Sequence, residues 1–446
     1  MASDPVPMSE LRTEINGTRI TVQDYAMRWH DPSAAHSTHE ITFDGSDPQP
    51  EYIWVSGMMD DQIARISIQD PTTQQMFKFQ PGDQPHTLRF DTSGNLWVGL
   101  EYSGTIIKLK NHVLSMNTEG DTAYVISEHD IETCLDVHIA TTASGSSNRI
   151  ETPINTHPHA WCFDRHGQYI WFTGKLTNTV GRVHVASKVV EHFALPTLGA
   201  VPIYVSVGPD GNVWGTCLGN NNIFRVTTGE CPVVTEIPIT TNGADSRPIA
   251  IKPPPVIGNS ESDPSLRFMW WSNEKGHSIC RISVDKVEEV VKQTSSGKLR
   301  NMKKTVGPHG VGMMNGVKQE LADLVETIEV PMTQRNMLLA GLAFDCAGNV
   351  WTQSYVDLSH PVPSGVDFIV KIDSAVLNAQ RIDPSAASER DEFAGKIDPT
   401  GIAITHIAIP TDKTVLHRII AGPDGKSMWF TELSRDRVGI VREQAV

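Results

Sequence analysis

The chain has 446 residues, 39% hydrophobic and 20% charged, an ordinary globular composition, and no apolar run approaches the roughly 18 residues of a membrane span. A net charge of −15 with no basic stripe argues against nucleic acid and membrane surfaces as partners. The opening MASDPVPMSELRTEING lacks the basic-then-apolar pattern of a secretory signal, so a cytoplasmic location is expected, and six cysteines with no C-x-x-C pair give neither a disulfide framework nor a zinc knuckle.

In chain order, the elements are copies of one unit marked by tryptophan. Seven of the ten tryptophans sit in the same context, an apolar residue, Trp, a short strand, a polar turn and a second strand. They are Trp54 in YIWVSGMMDDQIARI, Trp97 in NLWVGLEYSGTIIKL, Trp171 in YIWFTGKLTNTVGRV, Trp214 in NVWGTCLGNNNIFRV, Trp270 in FMWWSNEKGHSICRI, Trp351 in NVWTQSYVD and Trp429 in SMWFTELSRDRVGIV. Most follow a D-x-x-G or G-P-D-G turn, where Asp supplies local hydrogen bonds and Gly the positive φ of a tight hairpin. Each unit reads as an antiparallel meander that cannot bury both faces alone, and radial closure solves this with only short edges. The expectation is an all-β, single-domain, seven-bladed β-propeller with long inter-strand insertions. Its blades lie near 36–80, 84–128, 157–197, 201–240, 247–295, 337–376 and 403–446, and an N-terminal strand near 18–27 closes the last blade. The insertions fall at 125–156, 285–335 and 375–400. The second combines helical spacing over 317–328 with a glycine-rich stretch, 306–316, suited to a lid.

The position opening the first strand of each unit is histidine in four of seven units, His39, His86, His159 and His417, and Ile203, Ile249 and Ala340 in the rest. The four histidine units are blades seven, one, two and three, consecutive around a closed ring. First strands line a propeller's channel, so the histidines form one arc at one mouth. A structural role would apply on every side of the ring, whereas an asymmetric ligand site asks for one side only.

Counting from the turn at Asp424 and Gly425 sets residue 417 opposite 432, which predicts a His417–Glu432 pair at the mouth. The same count brings His86 near Leu100 and Glu101. A carboxylate beside an imidazole raises its basicity and suits a general base, and several imidazoles with a carboxylate also suit a divalent metal. A salt bridge sealing the last blade is the alternative reading of the pair.

The segments GPDGNVWGT, WFTGKLTNTVGRV and GPDGKSMWFTELSRDRVGIV resemble the repeat of the streptogramin B lyases, the virginiamycin B lyase group. The resemblance implies a seven-bladed propeller that opens a cyclic depsipeptide by elimination, with a histidine base and a magnesium ion near the channel mouth. It puts the family's functional His and Glu at His417 and Glu432, with Glu432 the magnesium ligand if that ion is used. Blade six departs, carrying Ala340 and Ser354 where the family has a second histidine and glutamate.

These readings lead to a natural-product tailoring enzyme that performs a non-hydrolytic elimination, isomerisation or cyclisation, with either no cofactor or Mg2+. The catalytic candidates are His417, Glu432, His86, His159 and His39. Trp161, Tyr204, Phe172, Glu101, Asn273 and His157 are the candidates for binding a small hydrophobic, cyclic or polyketide-like substrate. A cofactor-free cyclase like the fungal hetero-Diels–Alderases of tropolone sesquiterpenoid pathways is one alternative, carried by no shared motif. A non-enzymatic propeller that holds a protein partner is another. A metal-dependent lactonase shares the fold group but needs several Asp, Asn and Glu ligands converging in the channel, for which Glu101, Asn273 and Glu432 are a thin set.

Overall fold

Each tryptophan-marked unit forms an antiparallel sheet, and the sheets close into a seven-bladed β-propeller. The computed structural model describes residues 6–29, 36–116, 123–136, 138–139, 154–240, 246–256, 263–295, 315–382 and 395–445. The innermost strands, in blade order, are Thr38–Phe43, Pro85–Phe90, Pro158–Phe163, Pro202–Val207, Pro248–Lys252, Met337–Phe344 and Leu416–Ala421. They pack in that order around the channel, the seventh against the first. Strand Thr18–Ala26 pairs antiparallel with the last strand, Arg437–Ala445, and Met8–Ile15 adds a fifth strand outside it. The ring is thus closed by the N-terminus, as its sequence suggests.

The core is distributed between blades. Seven hydrophobic clusters fill the seven interfaces, and the marker tryptophan of each blade lies in the cluster shared with the following blade. Each buried indole removes about 150–250 Å² from water, of order 4–6 kcal/mol at 25 cal/mol/Å² as an upper bound. That explains one tryptophan per unit. In three blades the turn aspartate accepts the indole N–H, at 2.9 Å for Trp97 and Asp91, 3.0 Å for Trp214 and Asp210, and 2.9 Å for Trp351 and Asp345. The turn and the tryptophan are therefore one device, with Gly94 (φ 76°) supplying the left-handed corner beside Asp91.

Fourth strands depart from the expected boundaries because chain is inserted before them. Blade two ends on Ile131–Asp136, while Tyr124–Val125 joins blade one in parallel. Blade five ends on Glu326–Glu329, after helices Val284–Ser295 and Asn315–Ala322, and blade six on Ile404–Ala408. Helical spacing over 317–328 thus covers a helix that stops at Ala322 and then a strand. Val287, Val317 and Leu321 pack on the cluster between blades four and five, so the helices buttress the ring's side. The glycine-rich stretch, up to residue 314, lies outside the described residues. Among the described residues, five cysteines are free thiols, and no helix is long and apolar enough to cross a membrane.

Candidate active site at the channel mouth

A β-bulge near the start of every innermost strand builds the site. Pairing with the second strand jumps from Thr38 to Ile41, Pro85 to Leu88, Pro158 to Trp161, Pro202 to Tyr204, Pro248 to Ile251, Leu339 to Leu342 and Leu416 to Ile419. The extra residue releases part of each strand from the ladder and re-aims it. His39, His86, His159 and His417 all occupy this released segment.

The bulge also frees carbonyls, and the neighbouring blade satisfies one at every junction. Ser56 donates to the His86 carbonyl at 2.8 Å, Thr87 to His159 at 2.7 Å, Thr216 to Ile249 at 2.6 Å, Ser272 to Ala340 at 2.6 Å and Thr431 to His39 at 2.9 Å. Gln353 Nε2 donates to the Arg418 carbonyl at 3.0 Å, and the His159 Nδ1–H to the Ile203 carbonyl at 2.7 Å. The hydroxyl two residues after Trp54, Trp214, Trp270 and Trp429 was a legible signal for these bonds that the sequence reading did not use.

The four imidazoles touch in series. Ring centroids lie 3.9 Å apart for His417 and His39, 4.1 Å for His39 and His86, and 4.1 Å for His86 and His159. His86 is completely buried, while His159 and His417 keep partial exposure. Burial holds all four well below the ordinary histidine value, and the Arg418 charge pushes the same way, so the arc is neutral at physiological pH. The bond to Ile203 fixes the His159 tautomer and leaves Nε2 as an acceptor. His39 Nδ1, His86 Nε2, His417 Nε2 and Glu101 Oε2 are buried without hydrogen-bond partners. Such a concentration of unmade bonds at one place is what a ligand site leaves behind.

Glu101 is the carboxylate of the arc. It lies one residue beyond the second strand of blade two, fully buried, with Oε2 3.7 Å from His86 Nε2 and Oε1 3.1 Å from Lys175 Nζ. The expected His417–Glu432 pair is absent among the described contacts. The bulge shifts the register so that Leu416 stands opposite Glu432. Alternation along the strand places Glu432 on the face of Phe430, toward blade six, while Thr431 reaches the arc. Burial raises the Glu432 carboxyl well above the usual carboxylate range, and the Asp24 charge adds to this.

Glu432 therefore does not fit the magnesium site implied by the family resemblance, since a neutral carboxyl turned from the channel offers a hard cation little. Ligand atoms of His86, Glu101 and His159 lie within 4.8 Å of one another. Two nitrogens and one oxygen suit a softer divalent ion than magnesium, but the Lys175 ammonium already holds Glu101, and a cation there would meet it as a like charge. The chemistry of the arc is accordingly that of its own side chains.

Of the other expected site residues, Trp161 and Phe172 are fully buried between blades two and three and form no channel wall. Apolar character made them candidates, but their strands turn them into the interface. Asn273 is sealed in blade five, accepting from Trp271 Nε1 at 3.1 Å and donating to Ser278 at 3.0 Å. Tyr204 lines the channel beyond the bulges, at its other end. His157 lies at the histidine mouth with its ring 4.8 Å from that of half-exposed Tyr102. Across the mouth, Glu274 occupies the position in blade five that Glu101 holds in blade two. It accepts from Tyr355 Oη at 3.0 Å and pairs with Arg247 at 2.9 Å. Lys175, Glu274, Tyr355 and Arg247 escaped the sequence reading, although Lys175 and Glu274 share the position after the second strand with Glu101.

The chain superposes over nearly its whole length on solved seven-bladed structures. A streptogramin B lyase matches at a TM-score of 0.57 and 15% identity, covering 99% of this chain and 98% of that one. The fold is that of the streptogramin B lyases. Virginiamycin B lyase from Staphylococcus aureus matches at 0.57 and 15%, over 95% of this chain and 99% of that one. A catalytically inactive form of the same enzyme with quinupristin matches at 0.56 and 15%, over 98% and 99%. At this identity the likeness to the streptogramin B lyases is one of fold. No family model matches the chain, and no curated protein matches it in sequence.

Proposed function

We propose that this propeller is a small-molecule enzyme that carries out a non-hydrolytic elimination, isomerisation or cyclisation at the histidine mouth. The observation that supports it is the arc of four touching imidazoles with unpartnered nitrogens, backed by Glu101 and Lys175. His159 is the base. Its Nδ1–H is committed to the Ile203 carbonyl, so Nε2 takes the proton, and its partial exposure lets substrate reach it. His86, with the Glu101 carboxylate 3.7 Å from its Nε2, receives positive charge as it develops, and Lys175 holds Glu101 in place at 3.1 Å. His417, which keeps partial exposure, presents a second acceptor or, as the other tautomer, a donor to a leaving or carbonyl oxygen. Tyr102 and His157 form an aromatic lip for a cyclic or polyketide-like substrate.

The relative solved with quinupristin makes a cyclic depsipeptide the first substrate to try. Elimination and isomerisation leave the product mass unchanged, whereas hydrolysis adds a water. Incubation with quinupristin and a panel of macrocyclic lactones, followed by mass spectrometry, should give a product of unchanged mass. His159→Ala should lower its rate about 10²–10⁴-fold, the usual contribution of a general base. A hydrated product, or turnover indifferent to His159→Ala, would overturn the proposal. The neutral state of the arc also suits a cofactor-free cyclase, in which the His417 N–H polarises a carbonyl. Retained activity in His159→Gln, which keeps a donor and loses the base, would favour that reading.

A further inference from the structure

The innermost strands all run from the histidine mouth to the opposite one, where their later residues line a cavity of about 330 Å³. Arg89, Lys252 and Arg418 enter it from blades two, five and seven, against one carboxylate, Glu40 of blade one. Glu40 lies 3.6 Å from Arg89 Nη1 and 3.4 Å from Arg418 Nε, shared between the two guanidiniums. The Arg418 guanidinium also stands 5.4 Å from the centre of the Tyr204 ring. Among the described residues nothing takes a hydrogen bond or ion pair from Lys252 Nζ. The lining is completed by apolar side chains, among them Val205 and Ile419.

Three cations facing one carboxylate leave two positive charges without a counterpart in a half-enclosed channel, in a chain whose net charge is −15. Removing charge from water without a partner is costly, so the arrangement asks for anionic occupancy. Two guanidiniums offer forked donors that match planar or tetrahedral oxyanions, and the ammonium adds a point charge. The volume falls at the lower end of the roughly 300–1,000 Å³ typical of small-molecule pockets.

We propose that this opposite mouth binds a small organic oxyanion, a carboxylate or phosphate monoester. Its head lies on Arg89, Lys252 and Arg418 and its apolar body on Tyr204, Val205 and Ile419. The site is separate from the histidine arc yet joined to it, because Arg418 follows His417 and its Nη1 donates to the His417 carbonyl at 3.3 Å. Whatever binds there sits one residue from the end of the arc.

The test is calorimetric titration of the full-length protein with benzoate, phenyl phosphate and neutral benzamide at low ionic strength. Saturable binding of benzoate or phenyl phosphate, with benzamide at least tenfold weaker, is expected, and the tighter of the two anions identifies the head group. Lys252→Met should weaken the anion at least tenfold and leave benzamide unchanged. Because no described residue takes a hydrogen bond or ion pair from Lys252 Nζ, this variant is expected to fold, whereas Arg418→Met strips buried Glu40 of one of its two guanidiniums. Equal binding of benzamide and benzoate, no binding of either anion, or an unchanged anion affinity in folded Lys252→Met would overturn the proposal.

Discussion

Glu432→Gln separates the two readings of the last blade. In the structure Glu432 is fully buried, its strand neighbour Arg437 is bonded to Asp24 at 2.6 Å, and burial holds its carboxyl well above 4.5. The folded protein therefore keeps a proton that the unfolded chain releases. Stability from this group is complete below about pH 4.5 and falls by about 1.4 kcal/mol for each pH unit until the raised value is passed, then stays level. Glutamine keeps the volume and removes the proton, so the variant gains on the wild type across that window, whatever constant offset the amide brings. An unfolding entropy of about 2.1 cal/mol/K per residue gives about 1 kcal/mol/K for the whole chain, so each pH unit in the window appears as about 1.5 °C in the Tm difference. Scanning calorimetry of both proteins from pH 4.5 to 9 reads this. A pH-independent difference, or a variant that loses ground as pH rises, would refute the burial argument and restore an ion pair with His417.

The histidine arc gives the opposite pH signature. His86 is neutral in the fold and takes a proton below about pH 6.5 once unfolded, so stability falls as pH drops from there toward its depressed folded value. Between pH 6.5 and 5.5 His86→Asn should lose about 1 kcal/mol less than the wild type in urea unfolding, and equal losses would count against it. Thr431→Val strips the His39 carbonyl of its donor and should cost about 1–3 kcal/mol by the same measurement, with Thr431→Ser close to wild type. At Gly439 a Cβ would lie 2.1 Å from the Phe430 ring, so Gly439→Ala should destabilise by about 1–3 kcal/mol or more, while Gly229→Ala, with open space around it, should be near neutral. Indistinguishable midpoints for the two glycine variants would show that the Phe430 ring can move away.

The ring of seven, the N-terminal closure and the grouping of His417, His39, His86 and His159 were legible in the residues. One tryptophan per unit is a packing requirement at each blade interface, so it repeats wherever an interface repeats, and a repeated position keeps its place around the axis whatever the loops between do. Insertions blurred only the outer strands, where few contacts are fixed. Side-chain type misled at Trp161, Phe172 and Asn273, because apolar or amide character does not tell an interface from a channel wall.

What the tertiary structure alone decided is which carboxylate meets the arc. A strand's side chains alternate faces with a period of two, so one extra residue in the bulge is enough to redirect every later side chain of the strand. Counting from the turn assumed an unbroken ladder and paired His417 with Glu432. The bulge moved Leu416 into that place and took His417 out of register with Glu432, which alternation along its own unbroken strand keeps on the face of Phe430, and Glu101, one residue past its strand, is the carboxylate beside His86 and Lys175. The cationic cavity at the other mouth has the same origin, since Glu40, Arg89, Lys252 and Arg418 come from four blades and only closure of the ring brings them together.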